Sequence, residues 1–571
     1  MENNNLKDSI FYCIEVIQKE VKEDLKLVLQ IFYIMLSAYT NDPGNLAINA
    51  PSGEGKSYIL AKVGDLFPKD DLIFISHMSE KAIFHRKGIL VTKDDHGEYV
   101  SIENKINAID EQIENKKFEL SKTKDQYLKQ ALKSFIKSLE EEKKGLQNNS
   151  MKLIDLQHTI LVFLDTPKPE LFNAIMTLLS HDRYEVEYEF VDTYNGIKTK
   201  NNVLRGWPVV IFAQAVDYSH HIRWPEIQRR FPITNPKLSK EKYEKAIDLI
   251  GDKYSLPDFA YQQKIVSDDE KEKARGIILQ IKENILEISG QLQPGKNSVI
   301  NPFYRTVTES LPKEKASDMT FAERILSLSR LLPLIKQDKR PFLQIIEKGN
   351  TKIQKYPFTL FEDLSESLYL MEYSDGVRPY VLDWYYEIFI RSYNLKNEPY
   401  LKIDSKGNEL REERIAVTTD DLVAHTLEKY NKTFTKKQIL DTYLNPLYNS
   451  GYIDKAESKI DRRQNIYYPL VTAEKNKDLF EIEQMNNSFQ KRKLIVKNIT
   501  YFPSKNNIIS NIQVVLNYSE RIHGNVKICD QEGNEITTVE DLVEKYYDNS
   551  EDYFLIKNTE NNDVDSNNRN E

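Results

Sequence analysis

The sequence predicts an α/β fold, and three features indicate it. Short, continuously apolar runs that are typical of buried strands occur at LAIN (46–49), ILVFL (160–164) and VVIFA (209–213). A helical pattern, YILAKV (58–63), follows the first run, and a loop with two glycines lies between them. Strands that alternate with helices in this way build a sheet with helices packed against it. The predicted class is therefore α/β, with a glycine-containing loop at the end of the first strand.

The length and composition indicate several folded units. With 571 residues, and about 100–200 residues for each domain, the chain is expected to form three or four units. Apolar residues make up 40% and charged residues 29%, a composition of globular proteins rather than of disordered or membrane-spanning ones. The net charge of −9 argues against a generally basic nucleic-acid binder but leaves room for local basic surfaces.

The cysteines and the apolar segments bear on the compartment. Cys13 and Cys529 lie at opposite ends of the chain, which indicates neither a disulfide framework nor a metal-ligand spacing. The start, MENNNLKDS, lacks a basic region followed by an apolar core. The longest apolar stretch, 27–38, contains Gln30 and Ser37 and is too short to span a bilayer. We therefore expect a cytoplasmic protein without a membrane partner.

The loop after the first strand has the spacing of a phosphate-binding loop. The two glycines let consecutive backbone N–H groups turn inward, a lysine reaches the β and γ phosphates, and a hydroxyl binds Mg²⁺. Alanine stands at the usual first glycine, where a small side chain is tolerated because the inner glycines approach the phosphates most closely. The sequence thus predicts a site for ATP and Mg²⁺, with a ligand-free glycine-rich turn as the alternative. The residues of this loop are Ala50, Pro51, Ser52, Gly53, Glu54, Gly55, Lys56 and Ser57.

A carboxylate near the metal is expected at the end of a second strand. Asp165 ends the apolar run ILVFLD and is the predicted Mg²⁺ ligand together with Ser57. The glutamate that often follows such an aspartate is replaced by Thr166. Glu170 in TPKPE is then the nearest carboxylate able to orient the attacking water. This replacement argues against fast hydrolysis, and a purely structural buried strand is the alternative interpretation of the run.

A hairpin and a third apolar strand follow. Alternation at 184–192, a turn signal at Asn195-Gly196 and a second extended stretch through Val203 predict a β-hairpin. The apolar run at 209–213 ends in Gln214, whose amide can sense the γ phosphate and help to hold the water. The segment EIQRRF at 226–231 contributes arginines. An arginine exposed at a subunit edge can stabilise the charge that develops during phosphoryl transfer in a neighbouring subunit.

This order of parts resembles the AAA+ ATPases. It is most similar to the superfamily 3 and minichromosome maintenance helicases of archaeal, plasmid and phage replication modules. The segments that carry the resemblance lie within residues 25–240, with weaker support to residue 345. These segments are NAPSGEGKS, SHMSEKAIFH, ILVFLDTPKPEL, LLSHDRYEVEY, RGWPVVIFAQA and EIQRRF.

The resemblance implies roles for particular residues. Lys56 and Ser57 are expected on phosphate and Mg²⁺, and Asp165 on Mg²⁺. Gln214 is implied as the first sensor and Arg230 as the arginine finger, with Arg229 as the second choice. Arg324 in FAERILSLSRLL is a candidate second sensor in a helical lid, for which a solvated arginine on an amphipathic helix is the favoured alternative.

The resemblance also implies a substrate. In the resembled helicases, the hairpin before the sensor strand points into the channel of a ring and grips the nucleic-acid backbone. The tip here, Tyr194-Asn195-Gly196, is followed by Lys198 and Lys200, which offers two cations for phosphates and a ring that can stack on a base. We expect a homo-oligomeric ring with single-stranded DNA in its channel. A solvated hairpin with ordinary surface lysines is the alternative.

An insertion at 88–157 precedes Asp165. It opens with two alternating strands around Asp95-His96-Gly97 and continues as a long charged stretch that predicts two helices folding back near 121–125. A projecting helical hairpin can contact a partner or a neighbouring subunit, and a passive decoration is the alternative. The expected apolar positions are Ile102, Ile106, Ile109, Ile113, Leu120 and Tyr127 in one register, and Leu128, Leu132, Phe135, Leu139 and Leu146 in the other.

The C-terminal third carries a separate signal. TTDDLVAHTLEKY and TKKQILDTYLNPLYNSGYI predict two helices, the second capped by Thr435, and IDKAESKIDRRQNIYYPL predicts two strands around a basic turn. This part resembles a winged helix, in which the second of these helices can enter the major groove of a duplex. The DNA contacts this assigns are Lys436, Lys437, Arg462 and Arg463. A protein-interaction module is the alternative.

The expected organisation follows from these segments. It consists of an N-terminal helical segment (1–24), a AAA+ core (25–240) with its insertion, a helical lid (241–345), a winged helix (346–475), a small strand-rich domain (476–556) and a disordered tail (557–571).

Two functions are expected from these features. The first is an ATP-dependent DNA motor, an oligomeric replicative helicase-like ATPase. The alternative is an ATP-gated DNA-binding switch or assembly platform that unwinds nothing. The missing carboxylate after Asp165 favours the switch, and the hairpin lysines favour the motor.

Overall fold

A computed structural model describes most of the chain. The described residues are 6–76, 83, 88–148, 150–165, 167, 169–192, 198–214, 229–290, 292, 294–311, 313, 316–337, 340–346, 353–371, 377, 379–403, 409–449, 452–461, 463–470, 481–484, 494–497 and 503–548. The backbone alone is described for residues 6–8, 169, 170, 173–175, 190–192, 198–201, 316, 317, 379, 449, 481–484 and 494–497.

The strands are numbered in chain order. They are β1 (Leu46–Asn49), β2 (Leu72–Ile75), β3 (Ile89–Lys93), β4 (Tyr99–Ser101), β5 (Met151–Asp155), β6 (Ile160–Phe163), β7 (Glu185–Asp192), β8 (Lys198–Arg205), β9 (Val209–Gln214), β10 (Ile233–Thr234), β11 (Phe342–Ile346), β12 (Ile353–Pro357), β13 (Leu401–Ile403), β14 (Glu409–Arg411), β15 (Val417–Thr418), β16 (Ile453–Glu457), β17 (Asn465–Pro469), β18 (Glu481–Gln484), β19 (Leu494–Lys497), β20 (Val526–Cys529) and β21 (Glu535–Ile536).

The helices are numbered in the same way. They are α1 (Leu6–Glu20), α2 (Leu25–Ser37), α3 (Lys56–Gly64), α4 (Glu103–Lys122), α5 (Gln126–Asn148), α6 (Pro169–Leu179), α7 (Lys240–Ser255), α8 (Asp258–Lys264), α9 (Asp268–Ser289), α10 (Tyr304–Ser310), α11 (Ala316–Ile335), α12 (Phe361–Leu370), α13 (Pro379–Trp384), α14 (Arg391–Asn394), α15 (Thr419–Tyr430), α16 (Lys436–Ile439), α17 (Asn445–Asn449), α18 (Lys505–His523) and α19 (Val539–Tyr547). Two π-helical turns, Tyr385–Ile390 and Leu440–Leu444, follow α13 and α16.

The chain forms two compact units. The first contains residues 1–74, 160–166 and 209–571, and the second contains residues 75–159 and 167–208. The second unit is therefore built from two segments that interrupt the first. The sequence predicted only the earlier of these segments as an insertion, at 88–157.

The first unit contains a five-stranded sheet in the order β10-β1-β9-β6-β2. The pairings β1 with β10, β1 with β9 and β6 with β9 are parallel. Every residue of β1, β6 and β9 is buried, as expected for parallel strands that are covered on both faces. The fold is thus a mixed α/β fold with a parallel sheet, and the three strands predicted from apolar runs are confirmed.

Helices of the N-terminal and central segments cover this sheet. Eleven consecutive residues of α2, from Leu27 to Ser37, are buried. On α9 the apolar stripe Ala274, Ile278, Ile281 and Ile285 is fully buried at the spacing of one helix face. These residues form one apolar core with residues of α1, α3 and the sheet. The phosphate-loop candidate therefore lies on a large, rigid core.

A second sheet of this unit brings together distant parts of the chain. Its order is β12-β11-β20-β21, and β11 pairs with β20 in antiparallel register, with Leu343 opposite Ile528. The helices α12, α18 and α19 share one apolar core with this sheet. Residues 505–547, expected in a strand-rich domain, thus contain two helices and complete a sheet that begins at Phe342.

We name residues 377–470 the C-terminal module. A three-stranded antiparallel sheet in the order β15-β17-β16 packs with α15, α16 and the helical stretch 379–394 around one apolar core. Trp384 lies at its centre, stacked on Tyr443 at 4.4 Å between ring centroids and bonded to Thr426 Oγ1 at 3.0 Å. Thr435 caps α16 by accepting from Gln438 N, which confirms the predicted cap.

The second unit contains its own five-stranded sheet, in the order β4-β3-β5-β8-β7. Both predicted hairpins are confirmed, since β3 pairs with β4 and β7 pairs with β8 in antiparallel register. The strand β5 joins them, antiparallel to β3 and parallel to β8. The strand β5 has no clear signal in the sequence, and the two hairpins that it joins into one sheet were therefore predicted as separate.

The predicted helical hairpin, α4 and α5, is confirmed as well. Its core contains Ile109, Ile113, Ile136 and Leu139. The register predicted for the second helix is wrong at its first half: Phe135 is 47% exposed, and its neighbour Ile136 is 7% exposed. Leu128 and Tyr127 are also exposed. None of the described helices combines the length and apolarity that crossing a bilayer requires.

Candidate functional site

The loop between β1 and α3 has the backbone that its glycines predict. Gly53 and Gly55 adopt φ values of +90° and +81°, in the left-handed region that favours glycine. A Cβ built on either residue meets no atom within 4 Å, so the loop borders open space. Ala50 is not among the positive-φ residues, which explains why alanine is tolerated at the usual first glycine.

Lys56 lies inside this loop. Its Nζ donates to the carbonyls of Ala50 and Pro51, both at 2.7 Å, and the residue is 7% exposed. Burial lowers the pKa of Lys56, and the charges of Glu54 and Asp165 oppose that shift. The ammonium group is thus held at the first two residues of the loop, on short bonds that a phosphate oxygen can replace.

Ser57 connects the loop to the end of β6. Its Oγ donates to the carbonyl of Leu164 at 3.4 Å, and Asp165 is the next residue. Both Ser57 and Asp165 are exposed. Hydroxyl and carboxylate oxygens are ligands that suit Mg²⁺, which keeps several of its waters. The donor set at this point therefore fits a phosphate-bound Mg²⁺ ion.

Gln214 lies beside the loop. It is the last residue of β9, opposite Asn49 in the parallel register, and its carbonyl accepts from Ala50 N at 3.2 Å. Its side chain is fully buried. Because parallel strands end at the same edge of a sheet, β1, β6 and β9 place Lys56, Asp165 and Gln214 together.

Glu54 has a buried carboxylate, unlike its exposed neighbours Ser52 and Gly53. Tyr243 of α7 donates its hydroxyl to Glu54 Oε2 at 2.8 Å, and Lys432 of the C-terminal module donates to Oε1 at 2.6 Å. Lys242 Nζ reaches the backbone carbonyl of Glu54 at 3.4 Å. Three side chains from two other segments thus hold the middle of the loop.

Arg229 and Arg230 lie at the end of the strands that is opposite to the loop 50–57. They form a helical turn just before Phe231, whose ring contacts Phe212 at 5.0 Å between centroids. The next strand, β10, runs parallel to β1, and Ile233 lies opposite Ala47. Residues before β10 therefore lie toward the amino ends of the strands, whereas the loop 50–57 follows their carboxyl ends.

For four other predicted residues the structure describes the backbone at most. Tyr194 lies outside the described residues, and the side chains of Glu170, Lys198 and Lys200 are not described. In the backbone register of the second unit, Lys198 is opposite Asp192 and Lys200 is opposite Phe190. The contact of Glu170 with a water therefore stays a prediction.

Arg324 lies on α11 between Phe321 and Ile325. Those two residues belong to the apolar core beside the second sheet rather than to the core beneath the phosphate loop. Burial lowers the pKa of Arg324 to about 10, with the charge of Glu323 opposing the shift. Arg324 is half-buried, and both the sensor role and the solvated arginine on an amphipathic helix stay predictions.

The predicted DNA contacts of the C-terminal module lie on its surface. Lys436 and Lys437 begin α16, and Lys436 pairs with Asp420 at 2.7 Å with both side chains exposed. The side chain of Arg463 is 90% exposed in the turn between β16 and β17. Arg462 lies outside the described residues. The side chains of Lys436, Lys437 and Arg463 are thus accessible from solvent.

The partners of Glu54 were not predicted from the sequence. Lys432 contacts it across 378 residues, and Tyr243 across 189. Neither contact has a local sequence signal, because both depend on how distant segments pack. Lys432 follows the helix α15, and a lysine there is normally interpreted as a solvated surface charge.

The fold and the loop define a class: an α/β protein with a parallel sheet and a glycine-containing loop after a buried strand. Comparison with models of known protein families gives no match, and a search of curated proteins gives no significant match.

Proposed function

We propose that the chain is a AAA+-type ATPase that binds ATP and Mg²⁺ at the loop 50–57. The observation that carries the proposal is the contact between Ser57 and Leu164, since it brings the hydroxyl of the loop beside the strand end with Asp165. Lys56 within the loop and Gln214 beside it add two further groups with roles in phosphoryl transfer.

Each residue has a distinct role in this proposal. The backbone N–H groups around Gly53 and Gly55 bind phosphate oxygens, and Lys56 exchanges its two carbonyl acceptors for them. Ser57 and Asp165 would hold Mg²⁺, and the bound ion would neutralise charge on the transferring phosphoryl group. Gln214 orients a water near the γ phosphate. Glu170 is the proposed residue that polarises this water.

The proposal includes an oligomer, and the position of Arg230 supports it. This residue lies toward the amino ends of the strands, opposite to the loop of its own chain. An arginine finger at the amino ends of the strands would contact a nucleotide bound to a neighbouring copy. The proposal therefore includes a homo-oligomer in which each copy completes the site of the next.

We propose DNA as the substrate. The order of elements in the C-terminal module, α15 and α16 followed by a hairpin of β16 and β17, supports a winged-helix interpretation. In that interpretation Lys436, Lys437, Arg462 and Arg463 contact a duplex. The hairpin of β7 and β8, with Tyr194, Lys198 and Lys200, contacts a single strand in the channel.

A DNA-binding switch without unwinding is the second candidate function. The residue after Asp165 is Thr166 rather than a glutamate, and this favours slow hydrolysis. In such a protein the bound nucleotide sets the assembly state, and strand separation does not occur. The two candidates share the nucleotide site and differ only in what hydrolysis drives.

The nucleotide site is tested by binding and turnover. Wild-type protein should bind ATP in the presence of Mg²⁺ and release phosphate, whereas Lys56→Ala should lose both. Lys69→Ala is the matched control, because Lys69 is an exposed lysine beyond the end of α3. Equal turnover by wild type and Lys56→Ala would remove the proposed site.

The motor and the switch are separated by a second measurement. DNA should stimulate phosphate release in both cases, but only a motor displaces a strand from a forked duplex. Displacement that requires ATP and is lost in Lys56→Ala supports the motor. Stimulated turnover without displacement at any ATP concentration supports the switch.

A further inference from the structure

The carboxylate of Glu54 lies in an unfavourable place for a loop that binds phosphate. Glu54 directly precedes Gly55 and Lys56, and it is 4% exposed. A buried carboxylate is costly unless it is paired and hydrogen-bonded, and near a polyphosphate it also repels the ligand. The partners of Glu54 therefore determine whether the loop can keep its shape and accept an anion.

Each oxygen of the Glu54 carboxylate accepts from one side chain. Tyr243 donates to Oε2 at 2.8 Å and Lys432 donates to Oε1 at 2.6 Å. Burial raises the pKa of Tyr243, and its hydrogen bond to Glu54 adds to the rise, so this hydroxyl stays a donor. Glu54 thus has one neutral donor from α7 and one cation from the C-terminal module.

Lys432 is held in the C-terminal module by its neighbours. It follows Asn431, which ends α15 in the left-handed conformation with φ +52°. Its Nζ lies 5.5 Å from the centre of the Phe434 ring. The same helix is anchored by the bond between Thr426 and Trp384. A displacement of the C-terminal module would therefore move Lys432 away from Glu54.

A second contact holds the backbone of the loop at the same residue. Lys242 pairs with Asp24 at 2.6 Å, with side chains 10% and 1% exposed, and it also reaches the carbonyl of Glu54. Lys432 takes no part in these contacts. The contact between Lys432 and Glu54 is thus the one that a movement of the C-terminal module would break.

We infer that Lys432 is a positioning residue for the phosphate loop: through Glu54 it neutralises and holds the loop, so that nucleotide affinity depends on the docked C-terminal module. The inference rests on the proposed nucleotide site and adds a route by which the C-terminal module acts on it. Because coupling between two sites is reciprocal, a bound nucleotide in turn stabilises the docked C-terminal module.

The test is a double-mutant cycle on Lys432 and Glu54. The binding of a fluorescent ATP analogue with Mg²⁺ is measured for wild type, Lys432→Met, Glu54→Gln and the double variant. Lys432→Met should weaken binding by about fivefold to tenfold, between the effects of exposed and buried ion pairs. The same change in the Glu54→Gln background should have little effect, since the carboxylate that needs the cation is gone.

Two further variants control for the fold. Lys429→Met removes a lysine one turn earlier that only reaches Glu387 at 3.9 Å on the surface, and it should bind like wild type. Lys432→Arg keeps the charge and should restore most of the affinity. An equal loss with Lys432→Met in both backgrounds, or none in either, would overturn the inference.

A measurement without nucleotide separates this inference from the proposed function. Hydrogen exchange of the peptide that covers residues 50–57 should become faster in Lys432→Met and stay unchanged in Lys429→Met. If wild type binds no nucleotide, the proposed function and the affinity coupling both fail, and exchange still reports whether Lys432 holds the loop. If wild type binds and Lys432→Met binds equally well, only the inference fails.

Discussion

Ser57 donates its hydroxyl to the carbonyl of Leu164 at 3.4 Å, across 107 residues of sequence. The bond joins the first residues of α3 to the end of β6. It places Asp165 next to the loop that contains Lys56, and it makes the strand end part of the candidate nucleotide site.

Asp165→Asn should lower ATP turnover by about 100-fold, because a metal contact contributes several kcal/mol of charge stabilisation to phosphoryl transfer. Steady-state phosphate release, measured over a range of Mg²⁺ concentrations, checks this. The Mg²⁺ concentration at half-maximal turnover should also rise. Asp70→Asn, in an exposed turn, is the control. Turnover and Mg²⁺ dependence equal to wild type would exclude Asp165 as the ligand.

Arg230→Ala should lose about 10³-fold in turnover, the smaller effect known for arginine fingers. Mixed with Lys56→Ala protein, it should regain part of the activity, because one interface then contains an intact loop and an intact arginine. Phosphate release of the mixture is compared with that of each variant alone. Arg229→Ala, at the second choice for the finger, should keep most of its turnover, and a loss of about 10³-fold there instead would assign the finger to Arg229. No recovery in mixtures that demonstrably co-assemble argues against a shared site.

Part of this site can be predicted from the sequence alone, because the residues that form it are contiguous in the chain. The strand, loop and helix at 46–64 form from contiguous residues, so the run LAIN and the two glycines are sufficient to predict them. The end of β6 is predicted for the same reason. Gln214 is found because it ends a continuously apolar strand.

Lys198→Ala with Lys200→Ala should suppress DNA-stimulated turnover and leave basal turnover unchanged. The reason is that these lysines are at the start of β8 in the second unit, whereas the loop 50–57 belongs to the first. Phosphate release with and without single-stranded DNA is the measurement. The control is the pair Lys122→Ala and Lys124→Ala at the turn of the helical hairpin. Full stimulation in the hairpin variant would contradict the channel assignment.

Arg462→Ala with Arg463→Ala should weaken duplex binding and flatten its dependence on salt. Each phosphate contact contributes about 0.9 to the slope of log K against log salt concentration. The slope should therefore fall by up to about 1.8 for this variant, as measured by binding titrations at several salt concentrations. An unchanged slope with unchanged affinity would favour the protein-interaction interpretation of the C-terminal module.

Asp363→Asn should destabilise the protein by about 3–5 kcal/mol, the cost of breaking a buried ion pair. Asp363 and Arg340 are 0% and 1% exposed and are bonded at 2.6 Å, and Asp363 also accepts from Leu360 N at the start of α12. Urea denaturation followed by circular dichroism measures the loss. Asp461→Asn, which affects an exposed pair with Arg463, should leave the midpoint nearly unchanged.

The features that the sequence could not predict depend on contacts between residues that are far apart in the chain. The strand β5 is short, and its role becomes visible only where it pairs with β3 and β8. Whether Phe135 or Ile136 enters the core of the helical hairpin depends on the rotation of α5 about its axis. Two adjacent apolar residues do not determine that rotation. The contact between Glu54 and Lys432 requires two packed segments and has no sequence pattern.

The central claim is that loop 50–57 holds ATP and Mg²⁺ between β1 and β6. The most direct measurement is an experimental structure with a non-hydrolysable ATP analogue and Mg²⁺. It should contain phosphates within hydrogen-bonding distance of the N–H groups of residues 53–57, with Lys56 Nζ moved from Ala50 and Pro51 to a phosphate oxygen and the metal near Ser57 and Asp165. An analogue bound elsewhere, with Lys56 still on the two carbonyls, would contradict the claim.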